Sequence, residues 1–234
     1  MAAVTDINAL GEISLFRGLP HEQLSKLNDL LHRKTFAAGT HIITAEQSGE
    51  AVYVIASGTV KVHLEQADGT DVLIAILAAG DTVGEMSLLD CACRSANVTA
   101  LEETTCLWLD RPAFQECLRT MPRMQDNLFC LLCKHLRLAN EQIQSLVSQD
   151  VEGRVARQLL AFAQLYGQAT NGGVIVIPFY LTQGDLASMI GATRERVNQV
   201  IIAYKQRQYI SVNPNHRIAI HNQEALLKRA GIAR

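Results

Sequence analysis

Residues 83 to 98 read VGEMSLLDCACRSANV, a stretch that holds a Gly84-Glu85 pair and, a short loop later, Arg94-Ser95-Ala96. An arginine guanidinium is a planar fork of five N–H donors, a serine hydroxyl adds one more, and a carboxylate accepts from hydroxyl groups. Arg94 with Ser95 therefore suits an anion, Glu85 suits a hydroxyl-bearing partner, and Gly84 lets a backbone approach closely. On residue types alone, Glu85 and Arg94 can equally pair with each other across a surface loop.

A second stretch rich in chemistry is LTQGDLASMIGATRERVNQVIIAYKQRQYI, residues 181 to 210. Thr182 and Asp185, three apart, can cap a helix reciprocally. Leu186, Ala187 and Ile190 give that helix a buried face, and Gly191 permits the left-handed turn that ends it. Thr193 then caps a second helix, in which Val197, Val200 and Ile201 point inward while Arg194, Glu195, Arg196, Asn198 and Gln199 stay on or near the outer face. This is the pattern of a helix-turn-helix whose second helix offers polar side chains to base edges in the major groove of DNA. Two short strands, YISV and HRIAI around Asn213-Pro214-Asn215, predict a wing, where Arg217 is placed to contact phosphate or merely to be solvated.

Other reactive side chains point to less. The six cysteines, Cys91, Cys93, Cys106, Cys117, Cys130 and Cys133, are too few and scattered for a disulfide framework and are expected to be reduced. Cys130 and Cys133, three apart on a helix, make half a metal site at most, so no metal is expected and small buried side chains are. Cys91 and Cys93 leave a thiol redox sensor as a lesser alternative. No paired carboxylates and no nucleophile with a base accompany them, which argues against an enzyme.

The elements that must position these residues are legible in the patterning. With 48% hydrophobic and 19% charged residues, the 234-residue chain has the material for one large or two small globular domains. Neither a membrane span nor a secretory signal is visible, and a cytoplasmic location is the expectation. Residues 1–124 carry 9 Lys+Arg against 16 Asp+Glu, and residues 125–234 carry 12 against 7, so an acidic front (net −7) precedes a basic back (net +5), which either suits a polyanion or is a plain uneven scatter of charge. In the front half, Leu24, Leu27, Leu30 and Leu31 predict a helix, and glycines at 39, 49, 58, 69 and 80 punctuate runs such as VYVIASG, TVKVHL and DVLIAIL, predicting short antiparallel strands of a barrel or jelly roll. Asp68-Gly69 is a hairpin signal. In TVKVHL the alternation predicts Val60, Val62 and Leu64 on one face and a half-exposed His63 on the other. After Pro122, Phe129, Leu132, Leu136, Ala139, Ile143 and Leu146 are spaced 3, 4, 3, 4, 3, the seam of a coiled coil; a long helix there either pairs with its own copy or packs on its own sheet.

Taken together, FAAGTHIITAEQSGEAVYVIASGTVKV, GEMSLLDCACRSA, DVEGRVARQLL and LTQGDLASMIGATRERVNQV, in this order, resemble the CRP/FNR superfamily of bacterial transcription regulators. The resemblance implies an α+β chain: a cyclic-nucleotide-binding β-barrel over 1–122, a dimerisation helix over 123–150 carrying the seam residues, and a winged helix-turn-helix over 151–234. It implies that Gly84, Glu85, Met86, Ser87, Arg94, Ser95 and Ala96 form the phosphate-binding cassette, with Glu85 on the ribose and Arg94 and Ser95 on the phosphate. Cyclic-AMP-binding members carry Thr-Ser or Thr-Asn eleven and ten residues before the aspartate of D-V-x-G-R; here Ala139 and Asn140 stand there, so only the amide of Asn140 is left for the base. Cyclic AMP is the first expectation, cyclic di-GMP the second, and a ligand-independent member a third. On the family pattern R-E-x-x-x-R, Arg194 reads guanine and Glu195 a cytosine amino group, with Gln199 in place of the second arginine. The implied partners are a second copy of the chain, double-stranded DNA with GTG-like palindromic half-sites, contacted also by Thr182, Gln183, Thr193, Arg196, Asn198 and Arg217, and RNA polymerase if the protein activates.

Overall fold

Strand and helix formers separate along this chain much as the glycine punctuation requires. In the computed structural model, residues 6–66, 71–170, 173–214 and 217–232 are described. The chain divides into two compact units, residues 1–137 and 138–234. The hairpin signal Asp68-Gly69 and residue Asn215 of the wing turn lie outside the described residues.

The first unit opens with helices α1 (Ile7–Glu12) and α2 (His21–Leu30). Strands β1 (His32–Phe36), β2 (His41–Ile43), β3 (Ala51–Ser57), β4 (Thr59–Glu65), β5 (Asp71–Ala78) and β6 (Thr82–Val83) follow, then the short helix α3 (Met86–Leu89), strands β7 (Asn97–Ala100) and β8 (Thr104–Asp110), and helices α4 (Arg111–Thr120) and α5 (Pro122–Ser148). Two antiparallel four-stranded sheets, ordered β1-β8-β3-β6 and β2-β7-β4-β5, pack face to face. Phe36, Ile55 and Cys106 from one and Ile43, Val60 and Val98 from the other share a core between them. The opposite face of the first sheet is covered as well. Val52, Val54, Leu107 and Leu109 meet Leu10, Leu27, Phe114, Met124 and Leu128 of the helices and Phe16 of the turn after α1, so β8 is buried on both faces and is apolar without a break from Cys106 to Leu109.

Two expectations are corrected here. His63 is not half-exposed: it is buried, with Nε2 3.0 Å from Thr99 Oγ1 and Nδ1 3.0 Å from Asp71 Oδ1. It keeps the face that the alternation gives it, beside Lys61, and is covered there by its neighbours: Asp71 of β5, Thr99 of β7 and the ring of His41 on β2, 6.1 Å away between centroids. Cys130 and Cys133 are exposed on α5 rather than buried. Helix α2 also ends one residue short of Leu31, whose backbone is already extended as its C-cap.

The second unit contains the last turns of α5, then α6 (Val151–Tyr166), β9 (Gln168–Ala169), β10 (Ile175–Val176), α7 (Gln183–Ile190), α8 (Arg194–Gln206), β11 (Ile210–Val212), β12 (Ile218–Ile220) and α9 (Gln223–Arg229). Asp150 caps α6 by accepting from the Gly153 N–H at 2.7 Å. Helices α6, α7 and α8 bury Val155, Leu159, Leu186, Ile190, Val197, Val200 and Tyr204, and the Tyr204 hydroxyl, otherwise an unsatisfied polar group in the core, donates to the Glu152 carbonyl at 2.8 Å. Strands β11 and β12 form the wing hairpin, at the edge of a small sheet ordered β11-β12-β10-β9. No helix among the described residues is long and apolar enough to cross a membrane.

Candidate functional site

The loop from β6 to β7 is built around Arg94. Its side chain is 8% exposed, and its guanidinium donates to the Gly84 carbonyl at 2.6 Å, the Ser87 hydroxyl at 2.9 Å and the Ala51 carbonyl at 2.5 Å. All three acceptors are neutral, and no carboxylate among the described residues lies within ion-pair distance of it. Glu85 and Arg94 therefore do not simply neutralise each other across a surface loop. Gly84 is required for this approach: its φ is +84°, and a Cβ there would stand 2.5 Å from Arg94 Nη1.

Glu85 is also buried, at 4% exposure, and desolvation pushes its carboxyl above the usual carboxylate range. Its Oε1 lies 3.7 Å from Nδ1 of His135 on α5. Burial lowers the imidazole below its ordinary value. Each group is thus driven toward its neutral form, and we read the contact as two adjacent polar groups rather than a strong ion pair. Ser87 and Ala96 are buried with them, whereas Met86 and Ser95 are exposed, the Ser95 hydroxyl lying 4.0 Å from the Met86 sulfur.

Two residues of this region left no mark in the motif. His135 is one. The other is Arg111, at the start of α4, which donates from Nη2 to the carbonyls of Gly49 (2.7 Å) and Ser87 (3.0 Å) and from Nε to that of Gly49 (3.1 Å), and approaches Cys91 Sγ at 3.6 Å. It ties α3 and the β2–β3 loop together beneath the Arg94 site. Among the described residues no group of three or more metal-binding side chains occurs.

Along α5, Phe129 (56% exposed), Leu136 (63%), Ile143 (61%), Leu146 and Ala139 are exposed, and Leu132 is half-buried against the helical core of the first unit. Asn140 is exposed on the same helix.

The polar helix pair forms as its signals require. Thr182 Oγ1 accepts from the Asp185 N–H and the Asp185 carboxylate accepts from the Thr182 N–H, closing a capping box, and Gly191 adopts φ +61°. Thr193 caps α8 by accepting from the Arg196 N–H at 3.2 Å. Arg194, Glu195, Arg196 and Gln199 are exposed and Asn198 is half-buried. Gln183 Nε2 donates to Asn198 Oδ1 at 2.9 Å across the two helices, and Arg196 Nη1 donates to Gln199 Oε1 at 3.0 Å along α8. Arg196 is therefore drawn back onto its own helix rather than left free in solvent. Arg217 is exposed at the start of the second wing strand, where its N–H donates to Asn213 Oδ1 at 2.9 Å.

The chain matches the pattern of the cyclic nucleotide-binding domain over residues 33–121 and that of the Crp-like helix-turn-helix domain over residues 153–229. It is 30% identical over 221 residues to the CRP-like cAMP-activated global transcriptional regulator of Mycobacterium tuberculosis, covering 94% of this chain and 98% of that one. It is 32% identical over 200 residues to the cyclic AMP receptor protein of Thermus thermophilus, covering 86% and 89%. Among solved structures, FixK2 from Bradyrhizobium japonicum shares the fold at a TM-score of 0.75 and 18% identity, over 87% of this chain and 99% of that one.

Proposed function

Because the chain belongs to the CRP/FNR family of DNA-binding transcription regulators with a cyclic nucleotide-binding domain and is no enzyme, we propose that it is a homodimer whose DNA affinity is set by cyclic AMP held at Arg94, Ser95 and Glu85. The observation that carries this reading is the Arg94 guanidinium, buried with neutral oxygens for partners. A buried charge with no carboxylate in direct contact is costly, even with Glu85 and Glu50 acting on it from a distance. A cyclic phosphodiester brings one negative charge in a form that an arginine fork holds well. The buried carboxyl of Glu85 accepts a ribose hydroxyl, and the exposed Ser95 turns its hydroxyl to the phosphate. Both named relatives are cyclic-AMP-linked by their descriptions.

In this reading residues 1–122 bind the nucleotide, 123–150 dimerise through Phe129, Leu132, Leu136, Ala139, Ile143 and Leu146, and 151–234 bind DNA. The dimer presents two copies of α8 one helical turn of DNA apart, so the site is palindromic. Arg194 reads guanine and Glu195 a cytosine amino group in a GTG-like half-site. Calorimetry with cyclic AMP, cyclic GMP and cyclic di-GMP on the wild type and on Arg94→Ala tests the ligand. Cyclic AMP is expected to bind the wild type and to bind Arg94→Ala about 100-fold more weakly or worse, since one or more charge-assisted bonds of about 1.5–3 kcal/mol are lost. Preference for cyclic di-GMP would replace the ligand named here, and binding of none of the three would end the sensing reading while leaving DNA recognition intact.

A further inference from the structure

Arg196 and Gln199 lie one turn apart on α8, and the exposed guanidinium of the first donates to Oε1 of the second at 3.0 Å. A guanidinium has donors and no acceptor, so only the amide oxygen can face it. The orientation of this amide is thereby fixed by chemistry, where a lone glutamine has two nearly indistinguishable choices. What Gln199 keeps for a ligand is Nε2, with two N–H donors.

That changes what the side chain can read. An unengaged glutamine recognises adenine with both ends, Oε1 accepting from the N6 amino group while Nε2 donates to N7. With one lone pair of Oε1 taken by Arg196 and a guanidinium charge beside it, the accepting half is a poorer partner for a further N–H, whose hydrogen carries positive charge of its own. Two outward donors match an edge carrying adjacent acceptors, and in the major groove that edge is guanine, with N7 and O6 side by side. Adenine and cytosine turn an amino group toward them, and thymine offers a single acceptor beside its methyl group. We infer that Arg196 is a specificity-determining residue that acts through Gln199, making it a reader of guanine rather than adenine at its base pair in each half-site. The inference rests on the reading that α8 enters the major groove, and it names the base preference that the absence of a second family arginine leaves open.

The test is selection of bound sequences from random DNA by the full-length protein, with and without cyclic AMP, for the wild type, Gln199→Ala, Arg196→Ala and Arg196→Lys. The base pair at which Gln199→Ala loses its preference is the one Gln199 reads. The wild type is expected to carry guanine there, about fivefold over adenine, the ratio that one net hydrogen bond of ordinary strength supplies. Arg196→Ala frees Oε1 and shifts the position toward adenine, while Arg196→Lys, also a donor without an acceptor, keeps guanine. A base other than guanine at that pair, a Gln199→Ala selection identical to the wild type, or an Arg196→Ala protein with the guanine preference unchanged overturns the inference while the palindrome stands. A wild type that enriches no palindrome overturns the major-groove reading itself, and the inference with it.

Discussion

Glu85 sits where function and stability pull in opposite directions. Its carboxyl is buried, and desolvation raises its pKa in the folded chain. A carboxyl whose folded value lies above its unfolded one stabilises the fold when protonated, below the unfolded value, and that contribution is lost as pH rises through the folded value. Above the folded value the unliganded chain therefore holds a carboxylate at a cost. Glu85→Gln keeps the shape without the charge, and is expected to raise the Tm of the ligand-free protein at pH 7.5 by about 2–4 °C, the shift that roughly 1 kcal/mol produces in a chain of this size. The gain shrinks as pH falls toward the carboxylate range. Calorimetric melting across pH measures both, and a Tm unchanged at pH 7.5 would show that the ionised carboxylate carries no penalty. Arg94→Lys is the companion. A lysine keeps the charge but cannot reach the Gly84 carbonyl, the Ser87 hydroxyl and the Ala51 carbonyl with one planar fork. It is expected to recover less than a tenth of the cyclic AMP affinity lost in Arg94→Ala, read by the same titration.

At the scale of elements, α5 carries the sharpest expectation. Leu136 and Ile143 are more than 60% exposed in the single chain, one heptad apart. Single exposed apolar side chains are ordinary, but a stripe at coiled-coil spacing is the mark of a partner helix. Leu136→Glu with Ile143→Glu places like charges on the seam and is expected to raise the dimer dissociation constant at least 100-fold, measured by sedimentation, while the chain keeps its helical circular dichroism. Persistence of the dimer would move the interface elsewhere. The elements also show what a sequence can and cannot disclose. The Thr182–Asp185 capping box and the Gly191 turn were legible because their causes lie within four residues of one another. His63 was misread because its burial depends on the side chains that β2, β5 and β7 bring over it, which the alternation of one strand does not encode. Gly84, Glu85 and Arg94 could be named as a set, but not that Arg94 would hold backbone carbonyls, since carbonyls are common to every residue. Arg111 escaped for the same reason, and His135 because fifty residues separate it from Glu85. The Arg196–Gln199 spacing was in plain view, and only the geometry assigned it a bond.

For the whole molecule, the proposal reduces to a coupling free energy between two ligands. If cyclic AMP favours the DNA-competent population, it raises affinity for a palindromic site by the factor that the coupling allows, and couplings of about 1–3 kcal/mol correspond to roughly 5- to 150-fold. Linkage makes this reciprocal: saturating DNA must raise the affinity for cyclic AMP by the same factor. Salt separates this term from the electrostatic one. The basic back half, net +5 over residues 125–234, supplies phosphate contacts whose strength falls steeply with ionic strength. The coupling factor, as a ratio taken at fixed salt, is expected to change far less. Fluorescence-anisotropy titrations of a palindromic duplex at several salt concentrations, with and without cyclic AMP, give both quantities. Parallel lines of log affinity against log salt, offset by 5- to 150-fold in the wild type and superimposed in Arg94→Ala, are expected. Superimposed lines in a wild type shown to bind cyclic AMP would mean that the nucleotide is held without being read, and would leave DNA recognition as this chain's ligand-independent property.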